Sequence, residues 1–242
     1  MRRILITLSV ILSNLSYMVA QSDTFTTPGG KSVKFTCIKH ASIRIEYDGL
    51  EIQVDPVGEA VLPATDYSLL PKANIILVTH EHRDHFDREA LTMLRTASTA
   101  IYTNRAVHRD FRSSIPLANG DSVQYRPDIS VRAVPAYNTT PDHLQYHPQG
   151  RDNGYILTLD SMRIYIAGDT EDIPEMSELG PIDIAFLPCN QPYTMTPEQL
   201  VNAAKAIKPR VLFPYHYSDT PVGRVKLMLT GSGIDVRIRN YQ

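Results

Sequence analysis

Three of the chain's eight histidines fall within six residues, in the stretch Thr79-His80-Glu81-His82-Arg83-Asp84-His85-Phe86. Ahead of it runs Asn74-Ile75-Ile76-Leu77-Val78, whose apolar, β-branched content reads as a buried strand ending at the first histidine. If the backbone stays extended past that strand, alternate residues point the same way, so His80 and His82 can share one metal ion. Asp84 and His85 lie further on, where the chain bends toward a helix with Asp87 as its N-cap. The bend can aim a carboxylate and a third imidazole at a second metal position beside the first. A polar loop that merely caps a helix has no need of so many ligands, so the stretch reads as a metal site.

Later landmarks have the same character. A predicted strand over residues 162–167 delivers Gly168-Asp169-Thr170, and Val211-Leu212-Phe213-Pro214 leads to Tyr215-His216. This order of motifs resembles the metallo-β-lactamase fold superfamily. More narrowly, Val134-Pro135-Ala136-Tyr137-Asn138, Gly154-Tyr155, Ala167-Gly168-Asp169-Thr170 and Tyr193-Thr194-Met195-Thr196-Pro197 resemble its branch of metal-dependent hydrolases related to the ascorbate-lactonase type. The resemblance covers residues 33–238 and implies an α/β fold, a four-layer αββα sandwich of two mixed β-sheets flanked by helices. Periodicity by itself supports only the α/β content.

The chain starts with a different signal. Met1-Arg2-Arg3 precedes an apolar run from Ile4 to Leu12, and Ala20-Gln21 offers a cleavage point, a pattern that resembles a secretory signal peptide. Residues 1–20 are therefore expected to be removed, leaving residues 21–242 as a single domain that is periplasmic or secreted, with no membrane span after cleavage; the alternative is that the segment is retained as an N-terminal anchor. Losing Arg2 and Arg3, the only charged residues in that segment, takes the net charge from -2 to -4. Such a balance, without any Lys/Arg run, excludes a nucleic-acid partner and leaves a small-molecule substrate; oligomeric state is not legible. Two cysteines, Cys37 and Cys189, are too few for a disulfide framework; they either pair or sit as separate buried thiols.

Strands are expected over residues 32–38, 42–47 and 51–54, the last two joined by the hairpin signal Asp48-Gly49. Residues 57–71, bracketed by Pro63 and Pro71, read as a loop placed to form a cleft wall. A helix to about Arg95, a strand over 100–102, a helix over 105–111 and strands over 121–125 and 129–134 follow, with His108 read as ordinary surface. Asp160-Ser161 turns a second hairpin, a short helix is expected over 175–179, and a buried strand over 182–187. Thr196-Pro197-Glu198-Gln199 is a helix start with a capping box, running through Ile207. A last helix over 220–229 and a strand over 234–238 close the chain.

The resemblance implies a ligand set. His80, His82 and a third group would hold one ion, and Asp84, His85 and His216 the other, with Asp169 between them. Members of the superfamily carry the third histidine where this chain has Asn138, and an amide oxygen is a poor substitute. His143 and His147 lie close by, and the narrower branch points to His147. Asp55, in Asp55-Pro56, is either a group behind the ligands or a turn carboxylate bonding local amides. Tyr137, Tyr146 and Tyr193 sit in loops expected near the metals, where Tyr193 and Asn138 are candidates for substrate contact. The expected cofactors are two divalent ions, zinc by default with manganese or iron as alternatives. A metal-bridging hydroxide would attack an ester-type bond, a lactone or phosphodiester, with Asp84 orienting it or taking its proton. The alternative is a metal-binding sensing or binding protein of the same fold without turnover, for which Asn138 is the motive.

Overall fold

The computed structural model describes residues 21–241, so the predicted signal segment lies outside the described residues. Fourteen strands, β1 (Ser22–Thr26), β2 (Ser32–Lys39), β3 (Ser42–Tyr47), β4 (Leu50–Val54), β5 (Ile75–Val78), β6 (Ala100–Thr103), β7 (Ile115–Pro116), β8 (Ser122–Arg126), β9 (Ile129–Ala136), β10 (Asp152–Leu159), β11 (Met162–Ile166), β12 (Ile184–Pro188), β13 (Val211–Tyr215) and β14 (Asp235–Val236), divide into two sheets of seven. Strands β1 to β7 form the first sheet and β8 to β14 the second, each in chain order. In both, the first four strands pair antiparallel and the last four parallel.

Parallel neighbours need crossovers, and the helices supply them. Helices α1 (Arg88–Leu94) and α2 (Arg105–Asp110) serve the first sheet; α3 (Pro197–Ile207) and α4 (Gly223–Met228) serve the second. Alternation along the strands decides the layers. On β5, Ile75 and Leu77 face the core between the sheets, while Ile76 and Val78 pack under Leu91, Leu94 and Val107. On β12, Ile184 and Phe186 face inward, and Ala185 and Leu187 pack under Leu200 and Ala204. Strands buried on both faces must be apolar throughout, which is why these runs lack polar interruption. The result is the expected sandwich, helix layer, two mixed sheets, helix layer.

The local signals acted as predicted at several points. Asp87 caps α1 by accepting from the Glu89 and Ala90 N–H groups, and the Thr196/Gln199 capping box is formed. Both hairpin turns are left-handed at two positions, Asp48 and Gly49 with φ +49° and +75°, Asp160 and Ser161 with +45° and +70°.

Differences lie where tertiary partners decide. The segment over 175–179 is a 3-10 turn, Pro174–Glu178, and the last helix and strand shorten to Gly223–Met228 and Asp235–Val236. Strand β1 has little sequence signal because its inward face holds an aspartate, Asp23, beside the half-buried Phe25. Asp23 is buried against Arg237 and Arg239 of the C-terminal tail, at 2.8 and 2.6 Å, and so closes the chain's two ends together. Cys37 and Cys189 are free thiols, one in the core between the sheets and the other in the core under α3.

Candidate metal centre

Five residues emerge at one edge of the sandwich, just beyond strand ends, the position where open α/β sheets build their sites. His40 follows β2, Asp55 follows β4, His80 lies two residues past β5, Asp169 three past β11, and His216 directly follows β13. The backbone turns sharply there, with φ at +49° for His40, +41° for Asp55 and +47° for His216. Left-handed backbone at non-glycine residues costs about 1–3 kcal/mol each, so it persists only when held. The His216 N–H donates to His40 O at 3.0 Å, and the Asp55 N–H to Leu77 O at 2.9 Å. At Gly168, φ +66°, a Cβ would stand 2.8 Å from Asn153 O and 3.1 Å from Thr79 Cβ, so only glycine fits.

The predicted ligands converge. His80, His82 and His147 offer ring nitrogens within 4.8 Å of one another, and an Asp84 carboxylate oxygen lies equally close to ring nitrogens of His85, His216 and a residue not foreseen, His40. Asp169 lies between the two groups. Its Oδ1 is 3.3 Å from His85 Nε2, and its Oδ2 is 3.3 Å from His216 Nε2 and 3.4 Å from His147 Nε2. Asp84 Oδ2 stands 3.0 Å from His40 Nε2 and 3.6 Å from His216 Nε2, and its side chain is the most open of these, 40 % exposed.

Buried carboxylates aim two of the rings. Asp55 accepts from the Thr79 N–H and hydroxyl, each at 2.8 Å, and its Oδ2 lies 2.8 Å from His85 Nδ1. That arrangement turns His85 Nε2 toward Asp169. Asp152, at the start of β10, does the same for His147 from 3.0 Å, and is itself held by Arg151 Nε at 2.7 Å and Nη2 at 2.8 Å. Carboxylates behind imidazoles are how metal sites fix tautomer and ring direction.

The donors fit a cation. Nε2 of His85, His147 and His216 and Oδ1 of Asp169 are buried without a hydrogen-bond partner among the described residues, and His147, Asp169 and His216 line one cleft. Groups left so are costly unless something positive sits between them. Electrostatics divide the imidazoles: burial opposes the charge on His85 and His216, but the Asp169 carboxylate beside them raises both above the usual range. Burial alone would raise the Asp169 carboxyl, but the imidazoles of His216 and His85 hold it well below its usual range. Burial and the neighbouring His85 push His80 well below the usual imidazole range, toward the neutral form that ligation requires. Imidazole and carboxylate without thiolate suit zinc, manganese or iron.

The 138–147 loop answers the question raised by Asn138. Its amide Nδ2 donates to His143 O at 3.2 Å and Tyr193 O at 2.8 Å, and its backbone N–H to His147 O at 2.8 Å. Asn138 thus lies buried behind the cleft as a clamp on the loop. His143 is engaged by the buried Glu171, which also accepts from the Thr139 and Thr140 N–H groups at 2.7 Å. Burial opposes the charge on Glu171, but those bonds bring its carboxyl down to about 2.

Other expectations are corrected. Tyr137 points away from the metals: its hydroxyl donates to the Glu175 carboxylate at 2.9 Å, within the outer core. Residues 57–71 do not wall the metal cleft; Gly58, Thr65 and Tyr67 line a separate cavity with Asp87 and Met93 of the α1 region. Their loop is drawn down by the buried Lys39, whose ammonium donates to the carbonyls of Gly58, Val61 and Pro63. His108 is half-buried, with Nδ1 3.0 Å from Ser114 O. The metal cleft itself, about 300 Å³, is lined by His82, Asp84, His147, Asp169 and His216, with Tyr146, Tyr193 and Asn190 at its wall.

Sequence reasoning missed His40 and Asp152. His40 sits alone in Lys39-His40-Ala41, and Asp152 beside Arg151 reads as an ordinary ion pair; only pairing between distant strands reveals either role.

Comparison with known proteins agrees with this geometry. Residues 34–216 match the family described as the beta-lactamase superfamily domain. A UPF0173 metal-dependent hydrolase of Thermococcus kodakarensis is 32% identical over 197 residues, 78% of this chain and 86% of that protein. Another, of Ligilactobacillus salivarius, is 32% identical over 198 residues, 78% of this chain and 87% of its own. Among solved structures, a protein of Parabacteroides distasonis provisionally named a metal-dependent hydrolase is 51% identical, with a TM-score of 0.89, covering 93% of this chain and 100% of its own. Igni18, a metallo hydrolase of Ignicoccus hospitalis, is 27% identical with a TM-score of 0.69, covering 86% of this chain and 95% of its own. The chain belongs to the metallo-β-lactamase-fold superfamily, as one of its metal-dependent hydrolases.

Proposed function

We propose that the protein is a dinuclear hydrolase that opens an ester-type bond in a small molecule, with His80, His82 and His147 holding one zinc ion, Asp84, His85 and His216 the other, and Asp169 shared. The observation that carries this reading is the set of buried, partnerless ligand atoms on His85, His147, His216 and Asp169 around one cleft. Divalent ions bound there would supply water activated for attack at neutral pH and polarise the bond being broken. Asp84, the most exposed carboxylate, receives the proton at Oδ2, and His40, 3.0 Å away, keeps that oxygen in place. Tyr146 and Tyr193, ring centroids 5.0 Å apart, seat the substrate's apolar body at the mouth.

Between lactone and phosphodiester, the lining favours a lactone. Neither lysine nor arginine lines the cleft among the described residues, so a phosphodiester's charge would be met by the bound ions alone. The N-terminal pattern supports a periplasmic or secreted protein, and among the described residues no helix is long and apolar enough to cross a membrane.

The test is metal content per chain by elemental analysis, alongside turnover of a lactone and phosphodiester panel. Two transition-metal ions with lactone turnover are expected, and His82→Ala should lose the turnover together with the ion held by His80, His82 and His147. Full metal without turnover on either class would favour a binding or sensing protein instead.

A further inference from the structure

Another cavity is lined in part by the segment that follows His147, Gln149 to Arg151. It has about 400 Å³ of space and is lined by Arg105 and Arg109 of α2, by Arg151, and by the polar side chains of Asn119, Gln149 and Asn153. No acidic residue lines it. In a chain whose acidic residues outnumber its lysines and arginines, 26 to 24, three guanidinium groups around one hollow are not the average surface.

Two of the three lack partners. Arg105 and Arg109 are four apart on a helix, hence on the same face, and both are exposed. Neither has a hydrogen bond or ion pair among the described residues, and no opposite charge offsets their mutual repulsion there. Arg151 is different: Nε and Nη2 are taken by the Asp152 carboxylate and Nη2 also by Tyr146 O at 2.7 Å. Its guanidinium is therefore held rigid, while Nη1 has no partner among the described residues. One fixed arginine beside two unpaired ones suits a planar or tetrahedral oxyanion, since Arg105 and Arg109 can each give paired N–H donors and Arg151 can add Nη1.

We infer that this cavity binds a small oxyanion of two or more negative charges, at a site separate from the metal cleft. The shared chemistry is a phosphate group or a dicarboxylate: Arg105 and Arg109 bring two unpaired guanidinium groups, and Arg151, whose charge is shared with Asp152 and Glu81, adds its free Nη1. The metal cleft lacks any such cation in its lining, so the two sites select different chemistry.

The test is calorimetric titration of the metal-loaded protein with inorganic phosphate and, separately, with succinate, in wild type and in the Arg105→Ala/Arg109→Ala double variant. One site is expected in wild type, weakened at least about tenfold in the double variant and by added sodium chloride. Preference for phosphate or for succinate identifies which oxyanion the cavity takes. Metal content equal in both proteins keeps the result apart from any failure of the metal centre. Equal affinity in wild type and double variant would assign the anion to the metal ions and overturn the inference, as would absence of binding by both anions.

Discussion

His147 Nδ1 lies 3.0 Å from the Asp152 carboxylate, and each of the two side chains is only 1% exposed. The contact settles which way the imidazole faces, because a ring nitrogen so engaged leaves Nε2 for the cleft. Replacing Asp152 by alanine should lower metal affinity by about 10–100-fold, the usual consequence of removing a carboxylate behind a ligating histidine. Competition with a chelator measures this. Unchanged affinity would remove Asp152 from the site.

His147 and His143 stand four residues apart and part company in the structure. His147→Ala should release about one metal ion per chain, consistent with three protein ligands per zinc. His143→Ala removes a partner of Glu171 and should leave metal content intact while loosening the loop. Equal metal content in wild type and His147→Ala would leave His147 without the ligand role.

Gly168 carries the turn that presents Asp169. Its alanine variant combines a left-handed residue with a Cβ 2.8 Å from Asn153 O, and should lose about 2–4 kcal/mol of stability. Denaturant unfolding reads this directly, and an unchanged midpoint would mean that the turn relaxes freely.

Asp23 links stability to pH. Burial tends to raise its carboxyl, but Arg239 and Arg237 outweigh burial and lower it. A carboxyl depressed in the folded state stabilises above its unfolded value near 4, and that contribution is lost as pH falls through the lower folded value. Asp23→Asn should therefore cost about 1–2 kcal/mol at pH 7. The gap from wild type should close on acidification below about pH 4. A gap that persists at low pH would show that shape rather than charge is at stake.

The leader segment makes its own prediction. Expressed with its full chain in a Gram-negative host, the protein should be recovered from the periplasm with Gln21 as its first residue. N-terminal sequencing that begins at Met1 or Arg2 would contradict export with cleavage.

Much of the fold was legible because local rules and tertiary needs coincide in it. The runs at 75–78 and 211–215 must be apolar to lie between two layers, and Asp48-Gly49 and Asp160-Ser161 must be small or polar to turn left-handed. Strand β1 was illegible because its most buried inward residue, Asp23, is charged and is paired by arginines more than two hundred positions away.

The same division holds at the site. Sequence alone marked His80, His82, Asp84 and His85 as ligands of two neighbouring positions, because their spacing at a strand end sends the first pair one way and a bend carries the second pair beside it. It also brought Asp169 and His216 into consideration by their place after strands. His147, which the resemblance favours over His143, lies with His80 and His82; tertiary structure alone decided that the Asn138 amide grips the His143 and Tyr193 carbonyls, and that His40 joins from the end of β2, three strands from β5 in the first sheet. Direction of a side chain in a proline-stiffened loop depends on what grips it from outside, here Glu171 for one histidine and Asp152 for the other, and neither grip is written in local spacing.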